Sequence, residues 1–306
     1  MQYRLVLSLF LLGSLVLAAC GSGGSAAIPT VGPGSKLNVV VTTVQITALT
    51  REVGGDHITL RGIVPAGADP HEFEPVASDL TAIENANLIL RHSIGLDEWL
   101  DGTLKAGKKA QVVVVTKGIK LRQGEEAGKK IDDPHVWHDP ANDKVMVDNI
   151  AVALGKADPS NKADYDAKAA AYKQKLDDTR AKVQATINEI PTGSRKLVTN
   201  HDALGYFASA FGLKVVGAVI PSVSTEAEPS ASDTAALLDT IRKEKVKAIF
   251  AESSVNPKLA QTIANDAHIK IVDDLYGDSL GQPGSGAESV DGMLLVNARK
   301  IADALK

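Results

Sequence analysis

The stretch from Asn161 to Glu189, NKADYDAKAAAYKQKLDDTRAKVQATINE, contains neither glycine nor proline and predicts one long helix. Apolar side chains recur in it at spacings of 4, 3, 4, 7 and 4, a helical stripe made of Tyr165, Ala169, Tyr172, Leu176, Val183 and Ile187. At about 1.5 Å per residue this helix would span about 40 Å, roughly the diameter of a domain. The pattern leaves two interpretations open: a surface helix of one domain, or a rigid connector across two lobes.

Strand and helix patterns alternate on both sides of this stretch. Short β-branched runs predict buried strands over 36–43, 58–64, 87–91, 111–116, 196–199, 214–219, 248–251 and 270–272. Helices are predicted over 46–53, 76–86, from 95 onward, and over 142–154, 203–211, 233–243, 257–267 and 287–305. The alternation predicts two similar α/β lobes with mostly parallel sheets. We expect the charged segment 117–132, which has no histidine, to be a loop.

The first 35 residues have the composition of a targeting and anchoring segment. Arg4 precedes an apolar run over 5–17, which is of signal-peptide length and short for a membrane span. Leu17-Ala18-Ala19-Cys20 resembles the lipobox of bacterial lipoproteins, so we expect 1–19 to be a signal peptide and Cys20 to be acylated. An ordinary signal peptide with an incidental cysteine is the alternative. The Gly- and Ser-rich segment 20–35 predicts a flexible tether that holds the protein to a membrane outside the cytosol.

Composition limits the classes of partner and of site. The chain has 306 residues, enough for about two domains, and a formal net charge of −4. Removing residues 1–19, which carry one arginine and no acid, leaves a charge of −5, which provides no basic surface for nucleic acid. Cys20 is the single cysteine. Once it is acylated, any metal site must be built from histidine and carboxylate.

Three histidines and one aspartate stand where ligand chemistry is expected. Asp69-Pro70-His71 and Asp133-Pro134-His135 repeat one rare tripeptide, and in each case another proline follows within a few residues. Proline restricts its own backbone and that of the preceding residue, so both segments are stiff loops that present a histidine. His201 and Asp278 follow predicted strands, as His71 does, at the edge where open α/β sheets bind ligands. For either tripeptide alone, a polar turn with a solvated histidine is the alternative.

These four side chains are predicted to meet at one divalent metal. Three imidazoles and one carboxylate suit Zn²⁺ or another first-row ion, whereas Ca²⁺ and Mg²⁺ prefer oxygen ligands. The positions are far apart in sequence, so separate loops must hold them, two from each lobe, around a cleft. Nearby carboxylates are candidate acceptors for the second imidazole N–H: Asp133 and Asp139 near His135, and Glu72 and Glu74 near His71.

A set of motifs resembles the solute-binding lipoproteins of zinc and manganese ABC transporters (cluster A-I). The motifs are Asp69-Pro70-His71-Glu72-Phe73-Glu74-Pro75, Gly95-Leu96-Asp97-Glu98-Trp99, Asp133-Pro134-His135-Val136-Trp137, His201-Asp202-Ala203-Leu204-Gly205-Tyr206-Phe207, Ser224-Thr225-Glu226-Ala227-Glu228-Pro229-Ser230, Glu252-Ser253-Ser254-Val255-Asn256-Pro257 and Asp278-Ser279-Leu280-Gly281. The resemblance covers nearly everything after the tether. It implies an N-terminal lobe over 36–159, a connecting long helix over 160–190 and a C-terminal lobe over 191–306.

The same resemblance implies a function. It implies a metal in the interlobe cleft with His71, His135, His201 and Asp278 as ligands, in a monomer that delivers the ion to an ABC permease. In the family, a glutamate in place of the third histidine accompanies manganese, so His201 favours zinc. The affinity order at nitrogen-rich sites favours zinc as well, with manganese as the alternative cargo. The histidine-rich loop of many zinc-specific members is absent from this sequence.

The remaining histidines are expected to lie outside the metal site. His92 is interpreted as a polar residue at a strand end, His138 occupies a position that varies in the family, and His57 and His268 are expected to be solvated.

A zinc hydrolase and a surface adhesin are the alternatives to a metal-transport protein. An extracellular zinc hydrolase would need an open metal position for water, which four protein ligands leave no room for. The sequence also has neither His-Glu-x-x-His nor Gly-x-Ser-x-Gly. A surface adhesin role, as described for some family members, has no separate sequence feature. We therefore expect a binding protein and not an enzyme.

Overall fold

Two four-stranded parallel sheets form the framework of the protein. The computed structural model describes residues 35–105, 110–126 and 128–306. The first sheet contains β1 (Leu37–Val41), β2 (Ile58–Gly62), β3 (Leu88–Arg91) and β4 (Gln111–Val114), in the order β2-β1-β3-β4. Strands β5 (Gln123–Glu126) and β6 (Lys129–Asp132) lie outside both of these sheets. The second sheet contains β7 (Lys196–Thr199), β8 (Lys214–Ala218), β9 (Ala248–Glu252) and β10 (Lys270–Leu275), in the order β10-β9-β7-β8. All pairings within both sheets are parallel, which confirms the predicted fold class.

Helices connect the strands close to their predicted positions. They are α1 (Val44–Gly54), α2 (Ala77–Glu84), α3 (Trp99–Lys105), α4 (Pro140–Ala157), α5 (Lys162–Asn188), α6 (Gly205–Phe211), α7 (Ala231–Glu244), α8 (Lys258–Ala267) and α9 (Val290–Leu305). Helix α3 begins later than expected, because residues 93–95 turn through the left-handed region around the carboxylate of Asp97.

The segment 117–132, expected to be a loop, contains an antiparallel hairpin of β5 (Gln123–Glu126) and β6 (Lys129–Asp132). The expectation was wrong because the segment lacks the apolar alternation by which strands are usually detected. In the observed register the two glutamates of β5 lie opposite the two lysines of β6, and opposite charges at cross-strand positions favour pairing. The available signal for a hairpin in the sequence was a pair of acids followed closely by a pair of lysines.

The long helix α5 lies across both halves of the molecule. All six positions of the predicted apolar stripe are buried, and Thr179, buried as well, occupies the gap between Leu176 and Val183. Helix α5 packs against α1 and α4, which precede it, and against α6 and α9, which follow it. Of the two interpretations, the connector is the one observed. The lobe boundaries at 159/160 and 190/191 stay a prediction.

One hydrophobic core continues from the first sheet through α5 to the second sheet. Leu37 of β1, Leu176 of α5, Phe250 of β9 and Ile301 of α9 all belong to it, and each is at most 1% exposed. The two halves therefore share a packed interior and do not meet only at the cleft.

The predicted signal peptide, Cys20 and nearly all of the tether lie outside the described residues. In the part of the chain that is described, no helix is both long and apolar enough to cross a bilayer. The lipid anchor therefore stays a prediction.

Candidate metal centre

Four side chains meet at the carboxyl ends of strands from both sheets. His71 follows β2, His201 follows β7 directly, Asp278 follows β10, and His135 follows the β5–β6 hairpin. One potential ligand atom from each side chain lies within 4.8 Å of those of the others. Three of the residues are fully buried, and the side chain of His71 is 5% exposed. The structure thus brings together all four residues that the sequence singled out.

The distances within this cluster are those of a small coordination sphere. Nε2 of His135 is 3.4 Å from Nε2 of His71 and 3.2 Å from Nε2 of His201. The Asp278 carboxylate oxygens lie 3.1 Å from His135 Nε2, 3.1 Å from His201 Nε2 and 3.4 Å from His71 Nε2. Ligand atoms of a tetrahedral zinc site, with bonds of about 2.0–2.1 Å, are separated by about 3.3–3.4 Å. One ion bonded to all four side chains therefore fits the space.

Both Asp-Pro-His tripeptides fold into the same local turn. Asp69 Oδ1 accepts the backbone N–H of His71 at 2.9 Å, and Asp133 Oδ1 accepts that of His135 at 3.0 Å. The aspartate side chain replaces a backbone turn and the proline between restricts the chain. Each histidine consequently leaves its loop in a defined direction, which explains why the tripeptide occurs twice.

Asp133 also orients the ring of His135. His135 Nδ1 donates to Asp133 Oδ1 at 2.8 Å, and Arg122 Nη1 donates to Asp133 Oδ2 at 2.7 Å. Because Nδ1 is the donor, the lone pair of Nε2 points toward the other three candidate ligands. The remaining candidate acceptors have other environments: Asp139 caps α4, and Glu72 and Glu74 are exposed.

Glu252, which sequence analysis missed as a functional residue, orients the two candidate ligands of the second lobe. Its Oε1 lies 2.7 Å from His201 Nδ1, and its Oε2 accepts the backbone N–H of Asp278 at 3.0 Å. A Cβ on Gly277 would lie 1.8 Å from that oxygen, so the close approach requires glycine. The available signal was an acid at the end of the apolar strand Ala-Ile-Phe-Ala-Glu, since an unpaired carboxylate is rarely buried.

Hydrogen bonds between the two lobes hold the loop of Asp278. Trp137 Nε1 donates to the carbonyl of Gly277 at 2.9 Å, and Gln45 Nε2 donates to the carbonyl of Asp278 at 2.7 Å. Both donor residues are at most 1% exposed. No pattern in the sequence singles out Gln45, because helix α1 contains several other polar residues and only the structure shows that this one is buried and faces the opposite lobe.

The charges of the site shift its pKa values. Burial disfavours a charged imidazole, yet Asp278 and Asp133 outweigh burial and raise the pKa of His135 to about 9. Burial is likewise outweighed at His201, where Glu252 and Asp278 hold the imidazole pKa well above its usual value. Burial also opposes ionisation of Asp278, but the surrounding imidazoles hold the pKa of that carboxyl well below its usual range. Protons and a metal ion would therefore compete for the same imidazole nitrogens.

His92 and His138 lie beside the cluster and outside it. His92 is buried after β3, and its Nε2 donates to the carbonyl of Pro134 at 2.9 Å, which supports the loop of His135. Burial lowers the pKa of His92 to about 4 and that of His138 to about 3, so both rings are neutral at physiological pH. Trp137 packs between His92 and His135, with its ring centroid 5.4 Å from each.

His57 and His268 differ in their exposure to solvent. His268 is exposed at the end of α8, as expected. The expectation of a solvated His57 was wrong, because α5 passes beside it: His57 Nε2 lies 2.9 Å from Asp164 Oδ2, and the side chain is 30% exposed.

Two α/β lobes on a shared long helix, with three imidazoles and a carboxylate buried between them, define a solute-binding protein for a metal ion. A comparison with protein families identifies the family of this solute-binding protein. The chain belongs to the family of the periplasmic zinc-uptake complex component A (ZnuA), whose model matches residues 39–304. Members of this family are solute-binding proteins and not enzymes, in agreement with the expectation from the sequence.

Named relatives match over nearly their whole length. The metal ABC transporter substrate-binding lipoprotein ScbA of Streptococcus cristatus is 34% identical over 309 residues, covering 98% of this chain and 97% of its own. The manganese ABC transporter substrate-binding lipoprotein PsaA of Streptococcus mitis is 34% identical over 304 residues, covering 96% of each chain. These relatives confirm the resemblance found in the sequence.

Solved structures agree with the relatives. The periplasmic zinc binding protein TroA from Treponema pallidum has a TM-score of 0.82 at 30% identity, over 89% of this chain and 99% of its own. A Mn-bound periplasmic metal binding protein from Candidatus Liberibacter asiaticus has a TM-score of 0.79 at 28% identity, over 89% of this chain and 100% of its own. The names include both zinc and manganese, so they do not decide between the two ions.

Replacing Glu252 with glutamine should weaken metal binding about 10- to 100-fold. The amide keeps the volume of the side chain but turns one acceptor into a donor, which then faces the His201 ring or the Asp278 N–H. Glu244→Gln is the matched control, since Glu244 pairs with Lys196 at the opposite end of β7. Calorimetric titration with Zn²⁺ checks the expectation, and equal affinities for the two variants would contradict it.

Metal binding should release protons at about pH 8, because the pKa of His135 is raised to about 9 and that of His201 is raised too. Affinity should fall progressively as the pH drops below about 9, whereas an unperturbed histidine would begin to compete near about 6.5. Titration calorimetry in buffers of different ionisation enthalpy measures the released protons. Identical enthalpies in all buffers at about pH 8 would exclude the raised pKa values.

Proposed function

We propose that this protein captures a divalent transition-metal ion outside the cytosol and delivers it to an ABC permease in the membrane. The supporting observation is the burial of three imidazoles and one carboxylate whose neighbouring ligand atoms lie 3.1–3.4 Å apart. Lone pairs and a negative charge repel one another in a poorly hydrated interior unless protons or a cation lie among them. His71, His135, His201 and Asp278 are the proposed ligands, with Asp133 and Glu252 orienting them.

Zinc is the proposed cargo. The nitrogen-rich donor set favours Zn²⁺ over Mn²⁺ in the usual affinity order, and the separations suit tetrahedral bonding. Manganese is the second candidate, because both carboxylate oxygens of Asp278 face imidazoles and can bind an ion together. Two oxygens from one side chain would raise the coordination number above four, and carboxylate ligands suit Mn²⁺.

Delivery requires the cleft to open, because both lobes enclose the proposed ligands. An acylated Cys20 would keep the monomer at the membrane, next to its permease, and relatives named as lipoproteins support that anchor. No feature of the described residues favours the adhesin or hydrolase alternatives.

Competition between Zn²⁺ and Mn²⁺ tests the cargo. Protein lacking residues 1–20 should retain about one equivalent of zinc that excess manganese does not displace, because four protein ligands close the site. Elemental analysis after dialysis provides the measurement. Preferential retention of manganese would reassign the cargo, and no stoichiometric metal in either arm would overturn the proposed function.

His71→Ala and His201→Ala should each lose most of the metal-dependent stabilisation of the protein. At a metal concentration about 1,000 times the Kd, binding stabilises the parent by about 4 kcal/mol, a gain that requires an intact site. Thermal unfolding with and without Zn²⁺ measures it. His57→Ala serves as the control, because His57 pairs with Asp164 and is not part of the cluster. Unchanged stabilisation in both ligand variants would refute the ligand assignment.

A further inference from the structure

The β5–β6 hairpin crosses from the first lobe to the second. The backbone carbonyl of Glu125 accepts the N–H of Val223 at 3.0 Å, a hydrogen bond between the two lobes. Gly124 lies directly against Val223, since a Cβ added at Gly124 would be 2.1 Å from Val223 Cγ1. Both contacts join the hairpin to the opposite lobe.

A tyrosine of the second lobe makes further contacts at the base of the hairpin. The hydroxyl of Tyr206 donates to the carbonyl of Asp133 at 3.1 Å and accepts the backbone N–H of Arg122 at 2.9 Å. The guanidinium carbon of Arg122 lies 5.4 Å from the centroid of the Tyr206 ring, within the range of a cation–π interaction. One side chain from the second lobe thereby binds two residues of the first.

These contacts lead directly to the metal centre. Arg122 Nη1 donates to Asp133 Oδ2 at 2.7 Å, and the other oxygen of Asp133 accepts from His135 Nδ1 at 2.8 Å. The hairpin also forms part of the wall of a cavity of about 430 Å³, lined by His71, Ile131 and Val223 among others. His71 is the least buried of the candidate ligands, so this cavity is the side from which the cluster is reached.

We propose that Arg122, Tyr206 and the hairpin form an interlobe clasp that sets the rate at which the metal leaves. The clasp holds together only when the lobes are closed, and its contacts to the second lobe must break before the cavity widens. It binds no metal itself, so its loss should speed dissociation without slowing association. Arg122 and Tyr206 act through Asp133 and are positioning residues. This inference rests on the proposed function, because it assumes that a metal ion occupies the cluster.

Two substitutions separate the clasp from the ligands. Tyr206→Phe removes both hydroxyl contacts and keeps the ring against Arg122. Gly124→Ala inserts a methyl group against Val223 and forces the hairpin away from the second lobe. Each should release Zn²⁺ about tenfold faster than the parent, the effect of losing one or two buried hydrogen bonds. The association rate should stay within about twofold of the parent value, since related complexes differ mostly in dissociation.

Matched controls account for general destabilisation. Tyr165→Phe removes a buried hydroxyl that bonds to Asp158, away from the cleft, and Gly102→Ala adds a Cβ that meets nothing within 4 Å. The full-length protein in detergent is loaded with Zn²⁺ and mixed with excess chelator in a stopped-flow instrument, and association is measured separately. Faster release in the clasp variants alone, with unchanged association, supports the proposal.

Three outcomes would overturn the proposal. If Tyr206→Phe and Gly124→Ala both release Zn²⁺ at the parent rate, the clasp proposal is refuted, and the proposed metal binding is not affected. Equally fast Zn²⁺ release from Tyr165→Phe would show that the faster release reflects a general loss of stability and not the loss of the clasp. A parent protein that binds no zinc or manganese would instead refute the proposed function, and the clasp with it.

Discussion

Three imidazoles and one carboxylate lie 3.1–3.4 Å apart in a buried place, and they repel one another unless protons or a cation lie among them; the structure around the cleft depends on this constraint. Left to themselves, such groups would turn toward water. Asp133 and Glu252 prevent this by holding the far nitrogens of two rings, and Trp137 and Gln45 hold the loop of the carboxylate. These contacts fix the positions of the candidate ligands around one centre.

The two lobes orient their candidate ligands by different means. In the first lobe each histidine is directed by the aspartate two residues before it, within a turn that proline restricts. In the second lobe a single carboxylate, Glu252 at the end of β9, serves both His201 and Asp278, which are distant from it in sequence. The first arrangement is local and the second depends on the register of three neighbouring strands. A shift in that register would disturb both ligands of the second lobe at once.

The difference between local and long-range contacts explains which parts of the fold and of the site could be predicted from the sequence. The positions of the sheet strands and helices followed from apolar periodicity. The two Asp-Pro-His turns could be recognised because the hydrogen bond that closes each turn joins residues only two positions apart. The roles of Glu252 and Gln45 could not be predicted, because their contacts with the candidate ligands form only when distant strands and the two lobes come together. The β5–β6 hairpin was missed for another reason: its strands place charged residues opposite one another and bond to the other lobe through the backbone, so they show no apolar pattern. Partners of His57 were likewise invisible before the path of α5 was known.

The continuous core around α5 has a consequence for recognition. A helix of 27 residues that is packed along its length against both halves resists bending, and a dense interior transmits strain instead of absorbing it. The opening that delivery requires is therefore expected in the loops that border the cleft, with α5 and its core kept in place. A receptor that distinguishes a loaded from an empty molecule would then have to contact those loops.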